Sequence, residues 1–362
     1  MSPNLSRRDV LGALGAGSLV GAAGCLGTLG FETQSAWRDP PLVENRPDAV
    51  YRPALTEGMK TYGTTTAGPY GVALTYSYPH RFWTLTGTEL SKTVVGAQDS
   101  LHLMVSLWDR ETRTVLPVDS GVGIEITRDG SLVTEELAYP MLSQQMGLHY
   151  GSNYVLDGEG EYEATVSVGG VSLDRTGSFA GRFDSAERAS LSFTFDTDDL
   201  SDVPLTRLDD AGERGAVEPM EMEFPVGVAP DAESLPGRHL GRATSGDAVL
   251  HAFAIDDADA GRFGDSGGTY LYLSARTPYN RITLPTMGVT AALTRDGETA
   301  FEGTLSRTLD PELGYHYGAS VGEVRDGDTL DVSVDVPPQI SRHDGYETAF
   351  LDMPPVTFDA GE

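Results

Sequence analysis

Cysteine is all but missing from this chain: 362 residues hold one, Cys25. No intrachain disulfide can form, and no thiolate cluster can hold zinc or an iron–sulfur group, so any metal must rest on histidine, methionine and carboxylates. Basic charge is scarce as well. Lys60 and Lys92 are the only lysines, every other base is arginine, and the formal net charge is −29. That sign excludes nucleic acid as a partner. The acids are spread along the chain and form no block of the kind that binds a basic partner, so they read as the hydrated surface of a salt-adapted protein. Nor is there an apolar run long enough to stay in a bilayer: Val10 to Ala23 is too short and too rich in glycine. A metalloprotease His-Glu-x-x-His, a phosphate-cradling glycine loop and a nucleophilic cysteine are also lacking, and no enzyme is expected.

What is present begins at the N-terminus. Arg7-Arg8 precedes the short apolar segment, the arrangement of a twin-arginine export signal. Small residues, Ala22-Ala23-Gly24, lead into Cys25 as a lipobox-like cleavage site. Residues 1–24 are therefore predicted to be a lipoprotein signal peptide and Cys25 the lipidated first mature residue. Paired acyl chains anchor stably where one does not, so a diacyl modification is expected. Cleavage removes two arginines and one aspartate, leaving the mature chain at −30. Localisation follows: extracytoplasmic, lipid-anchored to the outer face of the cell membrane.

The rest of the chain repeats itself. Thr127-Arg128-Asp129-Gly130 returns as Thr294-Arg295-Asp296-Gly297, and Gly147-Leu148-His149-Tyr150-Gly151 as Gly314-Tyr315-His316-Tyr317-Gly318, both displaced by 167 residues. Leu116-Pro117 returns as Leu284-Pro285, one residue further on. Between these landmarks the pattern alternates apolar and polar, the mark of half-buried strands, and the Asp-Gly pairs signal tight hairpins. The fold class this implies is all-β, with two tandem immunoglobulin-like β-sandwich domains. A tether over 25–47, a first sandwich over 48–198, an acidic linker over 199–238 and a second, divergent sandwich over 239–362 are the expected boundaries. Pro219 argues against a central strand in the linker.

Seven histidines exist: His80, His102, His149, His239, His251, His316 and His343. Most histidines are satisfied hydrogen-bonders, and a repeated His-Tyr-Gly can be a structural corner in which tyrosine packs and glycine turns. The wider context resembles something more specific. Pro140-Met141, then His149-Tyr150-Gly151-Ser152-Asn153, then Gly158-Glu159-Gly160-Glu161-Tyr162 leading into a strand, is similar to the periplasmic iron-transport protein family. Asp99-Ser100-Leu101-His102-Leu103 resembles the family's Asp-x-His-Leu strand with one residue added. Pro337-Pro338, Arg342-His343-Asp344 and Glu347-Thr348 resemble its closing segment, which only the second half retains. The likeness covers roughly 72–195 and, more loosely, 249–358.

These proteins are immunoglobulin-like metal binders that work beside a high-affinity iron permease. The resemblance implies an iron or copper ion held by His102, Met141 and His149 in the first half, and by His316 and His343 in the second. Imidazole suits copper, zinc and iron, and a thioether biases the choice toward copper. There are departures. Seven residues separate Met141 from His149 where the family has six, which leaves Met146 as a second candidate thioether. At the repeat offsets His102 corresponds to Tyr270, Met141 to Thr308 and His343 to Thr176. Either each half is degenerate or the two pool ligands across their interface. Two functions follow: a surface metal binder with the membrane and an iron permease as partners, or a structural immunoglobulin-like module with relic sites.

Two outcomes are expected from the sequence. Cys25→Ser should move the protein from the membrane fraction to the medium; a mutant still held on membranes would refute the anchor. Removing salt should unfold the mature protein, because about 30 net charges repel at long range in dilute buffer but are screened within about 3 Å at molar ionic strength. A melting temperature unchanged between dilute and molar salt would show that the acidity does not serve stability.

Overall fold

The computed structural model describes residues 40, 42–119, 121–256, 263 and 268–361. The signal peptide, Cys25 and most of the tether lie outside these residues. Residues 41–362 cluster as one compact unit. Among the described residues no helix is long and apolar enough to cross a membrane.

The architecture is all-β. The first half contains β1 (Leu55–Glu57), β2 (Lys60–Ala67), β3 (Tyr70–Ser77), β4 (Phe82–Thr86), β5 (Glu89–Thr93), β6 (Leu101–Asp109), β7 (Val122–Arg128), β8 (Ser131–Ser143), β9 (Gly147–Tyr154), β10 (Gly160–Val168), β11 (Asp174–Arg175), β12 (Glu187–Phe195) and, after the helical turn α1 (Thr197–Ser201), β13 (Leu205–Arg207). The second contains β14 (Arg238–Ser245), β15 (Ala248–Ile255), β16 (Thr269–Arg276), β17 (Gly288–Arg295), β18 (Glu298–Thr304), β19 (Ser306–Asp310), β20 (Gly314–Val321), β21 (Asp328–Val336), β22 (Ser341–Arg342) and β23 (Val356–Ala360).

In the first half β12-β10-β7-β8 form one sheet of a sandwich. The long β8 crosses over and continues the second sheet, β8-β9-β6-β3-β2. The second half repeats this order as β23-β21-β17-β18 and β19-β20-β16-β15-β14, the long strand now interrupted at Leu305. Both Asp-Gly pairs turn as expected. Asp129 and Gly130 have φ of 50° and 75°, Asp296 and Gly297 50° and 82°, the double positive φ of a type I′ hairpin.

The repeated motifs meet in space. Tyr150 accepts from the Val118 amide at 2.6 Å and donates to the Leu116 carbonyl at 3.2 Å, tying the His-Tyr-Gly strand to the Leu-Pro loop. Tyr317 does the same with the Met287 amide at 3.0 Å and the Leu284 carbonyl at 2.8 Å. Tyrosine thus plays the structural part expected of it. Gly151 does not turn the chain, however; it lies inside β9.

The halves are joined by reciprocal exchange of short strands. From the first half, β11 pairs in parallel with β19, Asp174 opposite Thr308. From the second, β22 pairs in parallel with β8, Ser341 opposite Met141. Both residues of each pair are displaced by the 167-residue repeat. One continuous apolar core follows, running from Val72, Leu103 and Ile124 through Leu142, Ile282 and Ile340 to Leu271 and Val332.

Several strands depart from the alternating pattern that half-buried strands show. β3, β6 and β16 are buried along their whole length, so both faces are covered. The covering material includes the segment expected to be a linker: Phe224 stacks on Trp108, and Leu235 packs with Phe253 and Tyr270. On the first half the cover also includes the β4–β5 hairpin and the exchanged β22, whose Arg342 pairs with Trp83 of β4.

Candidate metal centre

The outward face of the first half's second sheet is set by register. His102 on β6 lies opposite Asn153 on β9, Met104 opposite Gly151, and His149 on β9 opposite Met141 on β8. Side chains directly opposite in an antiparallel pair share a face. His102, Met104, Met141, His149 and Asn153 therefore face the same way, all of them except Asn153 buried. Met146, the alternative thioether, sits in the β8–β9 turn, its amide bonded to the Ser143 hydroxyl at 3.0 Å.

Two more histidines close over this face. His343 follows β22, and its amide donates to the Leu142 carbonyl at 3.2 Å. His80 lies on the connection from β3 to the β4–β5 hairpin. The ligand nitrogens of His80, His102 and His343 lie within 4.8 Å of one another. The ring of His149 is 5.3 Å from that of His343 between centroids. The second half's tail thus brings a histidine to the first half's sheet.

Hydrogen bonding at Nδ1 fixes three of the four rings. The Asn153 amide is oriented by the backbone of His80, donating to its carbonyl at 2.9 Å and accepting from its N–H at 3.3 Å. Its oxygen then accepts from His102 Nδ1 at 2.8 Å. His149 Nδ1 donates to the Gly147 carbonyl at 3.1 Å. His80 Nδ1 faces the Tyr78 carbonyl and the Glu57 carboxylate, each at 3.0 Å. An acceptor at Nδ1 demands a proton there, which leaves Nε2 as the free donor of an electron pair in each neutral ring. The Nε2 atoms of His80, His102, His149 and His343 are all buried without a hydrogen-bond partner.

Four orphaned imidazole nitrogens in one place are costly unless something binds them. Backbone space is also reserved. A Cβ on Gly151 would stand 2.8 Å from His102 Nε2 and 3.2 Å from Met104 Cγ, so only glycine lets the ring lie across β9. Outside the cluster, Arg81 and Asp344, the neighbours of His80 and His343, form a two-pronged ion pair at 3.1 and 2.6 Å. It clamps the hairpin to the exchanged tail.

The electrostatics favour neutral ligands. Burial holds His149 down at about 4. Burial, then the neighbouring His80, puts His102 well below the ordinary imidazole range. Burial, then His80, His149 and His102, does the same for His343. His80 differs. Burial opposes its charge, but Glu57, the Tyr78 carbonyl and Asp344 together outweigh that and raise it. Its second proton, on Nε2, is the one a bound cation would displace.

His316 is placed elsewhere and differently. It faces outward on β20, and its Nδ1 donates to the Gly314 carbonyl at 3.0 Å. Its Nε2 accepts from the hydroxyl of Tyr270, the residue at the repeat position of His102, at 3.0 Å. Gly318 makes room for that tyrosine as Gly151 does for His102. At the position of His343 stands Thr176, which donates to Asp310 at 2.7 Å. The second half keeps the cradle and fills it with a hydrogen-bonded lock.

Sequence reasoning passed over His80, Glu57 and Met104. His80 and Glu57 belong to no repeated motif. Met104 was signalled only by its place two residues after His102.

Residues 233–359 match a family described as a domain of unknown function, DUF7350. No curated protein matches the chain. Among solved structures, FetP of uropathogenic E. coli, as isolated from the periplasm of its expression host, is 16% identical with a TM-score of 0.29, covering 38% of this chain and 95% of that one. A copper-bound variant of the same protein gives 16% and 0.28, with the same coverage. Overlap of this extent is slight.

The depressed histidines make a pH prediction. A buried imidazole held at about 4, against about 6.5 unfolded, stabilises the fold above about 6.5, and that contribution is lost as pH falls through about 4. For His149 the loss is about 3 kcal/mol, with His102 and His343 adding to it and His80 working in the opposite direction. The melting temperature of the metal-free protein should therefore drop between pH 6.5 and 4, and the drop should shrink in His102→Gln with His149→Gln. An equal drop in that double variant would show that these rings are not held neutral.

Proposed function

We propose that this chain is a surface-exposed, lipid-anchored binder of a single transition-metal ion, copper or iron, which it passes to a permease in the membrane beneath it. The observation that carries the reading is the clustering of His80, His102 and His343, whose ligand nitrogens lie within 4.8 Å of one another, with the ring of His149 beside them and the Nε2 atoms of all four buried without a partner.

The donor set has a recognisable chemistry. Four imidazoles suit copper, zinc or iron(II), and the thioethers of Met141 and Met104 on the same face tilt the choice toward copper. Every one of these donors is neutral, so the ion's charge would be balanced from outside the inner ring. Glu57, on His80 Nδ1, is placed to do so and to raise the basicity of that ring. Asn153 plays the orienting part for His102. His80 and His343 are the half-buried members and form the rim by which an ion would enter and leave. Export by the twin-arginine route and lipidation at Cys25 would set this rim outside the cell beside the membrane. The second half, with His316 locked by Tyr270, serves as the structural partner that supplies His343.

Calorimetric titration of the full chain with copper(II), and anaerobically with iron(II), tests this in molar chloride with chloride competition controlled. One ion per chain is expected. His102→Ala and His149→Ala should abolish binding, His343→Ala should weaken it at least about tenfold, and Asn153→Leu about 10- to 100-fold. His316→Ala should leave it unchanged. If the parent binds neither metal more tightly than millimolar, the uptake reading fails and a structural module is left.

A further inference from the structure

Met104 and Met141 are buried, at 3% and 0% exposure, yet neither belongs to an apolar cluster of the described residues. Both lie instead on the face that carries the histidines. Met104 follows His102 by two residues on β6 and stands opposite Gly151 of β9. A Cβ at Gly151 would lie 2.8 Å from His102 Nε2 and 3.2 Å from Met104 Cγ. The free nitrogen of one side chain and the arm of the other therefore reach the same point above bare backbone. Met141 is directly opposite His149 across β8 and β9, where facing Cβ atoms are about 4.5–5.5 Å apart. Packing alone accounts for a methionine that fills a gap in an apolar core. These two fill none, and their neighbours on the face are imidazoles.

The charges around the cluster are nearly spent. Asp344 is taken up by its two-pronged ion pair with Arg81, at 3.1 and 2.6 Å. Glu57 accepts from the Ser77 hydroxyl at 3.1 Å and lies 3.0 Å from His80 Nδ1, on the far side of that ring from its free nitrogen. Among the described residues no carboxylate joins the group of His80, His102 and His343. One negative charge, behind one imidazole, is what remains to balance an ion. The cost of bringing an ion from water into such a site grows with the square of its charge, about fourfold from +1 to +2. A monovalent ion is matched here, and a divalent one is left half-balanced.

We propose, resting on the metal-binding reading above, that this site selects copper in its monovalent state, copper(I), over copper(II) and iron(II), and that Met104 and Met141 determine that choice. Thioethers select copper(I), whereas copper(II) favours tetragonal nitrogen and oxygen sets and non-haem iron(II) sites add a carboxylate to histidine. Copper(II) still binds through the imidazoles, but less tightly.

The full chain is titrated anaerobically with copper(I) against a coloured copper(I) chelator, and separately with copper(II). Molar sodium nitrate supplies the salt, because chloride itself complexes copper(I). One copper(I) per chain is expected, bound at least about 100-fold more tightly than copper(II). Met104→Leu with Met141→Leu, swaps that nearly conserve volume, should lower copper(I) affinity at least about tenfold more than copper(II) affinity. The melting temperature of the metal-free double variant checks that it is folded. Copper(II) bound as tightly as copper(I), or a methionine pair whose replacement weakens both ions equally or neither, overturns the selectivity and leaves the metal-binding reading standing. A parent that binds copper in neither state overturns both.

Discussion

Two residues of parallel pairing, Ser341 with Met141 and Arg342 with Leu142, determine where the chemistry of this molecule lies. So short a strand has little pairing energy of its own, and its position is secured by what surrounds it. Arg342 is fully buried and has no carboxylate partner among the described residues; its guanidinium instead donates to the carbonyls of Ala349, Pro338 and Phe350. Burial lowers it to about 10, still charged at neutral pH. A buried cation held by backbone oxygens and by the Phe350 ring draws the 338–350 segment around itself and positions the neighbouring His343. Glu347 adds a second fastening, accepting from Tyr51 at 2.5 Å and from the Gly345 amide at 2.8 Å, and forming an ion pair with Arg46 at 2.7 Å. The site is therefore held by contacts that tie the start of the described chain to its end.

The two halves show how little separates a metal cradle from a structural corner. Each has the outward histidine on its His-Tyr-Gly strand, the glycine that lets a ring lie across that strand, and a parallel strand lent by the other half. Where the first half has imidazole at 102, the second has phenol at 270, and the hydroxyl reaches the histidine nitrogen that an ion would otherwise take. The exchange satisfies His316 within the protein, so the second half pays no desolvation cost for an orphaned donor. In the first half none of the described residues offers an equivalent partner to four such nitrogens.

Much of this was legible in the sequence, for identifiable reasons. Strands and hairpins could be read because period-two alternation and Asp-Gly turns are local signals, and type I′ geometry at Asp129 and Asp296 needs no tertiary help. The tyrosine of each His-Tyr-Gly and the Leu-Pro loop repeated together because they bond to one another. His102, Met141 and His149 came from motif likeness, and register puts them on one face. What the sequence hid depends on contacts between distant segments. His80 is on a connection outside the repeated motifs, Glu57 acts through the Nδ1 of another residue, and β3 and β6 look half-buried until the 199–238 segment is laid over them. The reciprocal exchange of β11 and β22 is carried by two residues each, too short to leave a pattern.

Charge sets the last constraint. A chain at −29 would draw cations from a distance in dilute solution, yet at molar salt the field decays within about 3 Å. Long-range attraction cannot then distinguish a scarce transition metal from abundant sodium or potassium, and neither can surface carboxylates, which all hard cations approach alike. Discrimination has to come from donors that hard cations bind poorly, held where water is excluded. Buried neutral imidazoles and thioethers meet that requirement. Acidic residues stand behind the imidazoles: Glu57 pairs with His80 Nδ1, and Asp344 with Arg81 next to it. On the proposed reading the acidic surface keeps the fold hydrated, and selectivity is left to the few residues that carry no charge.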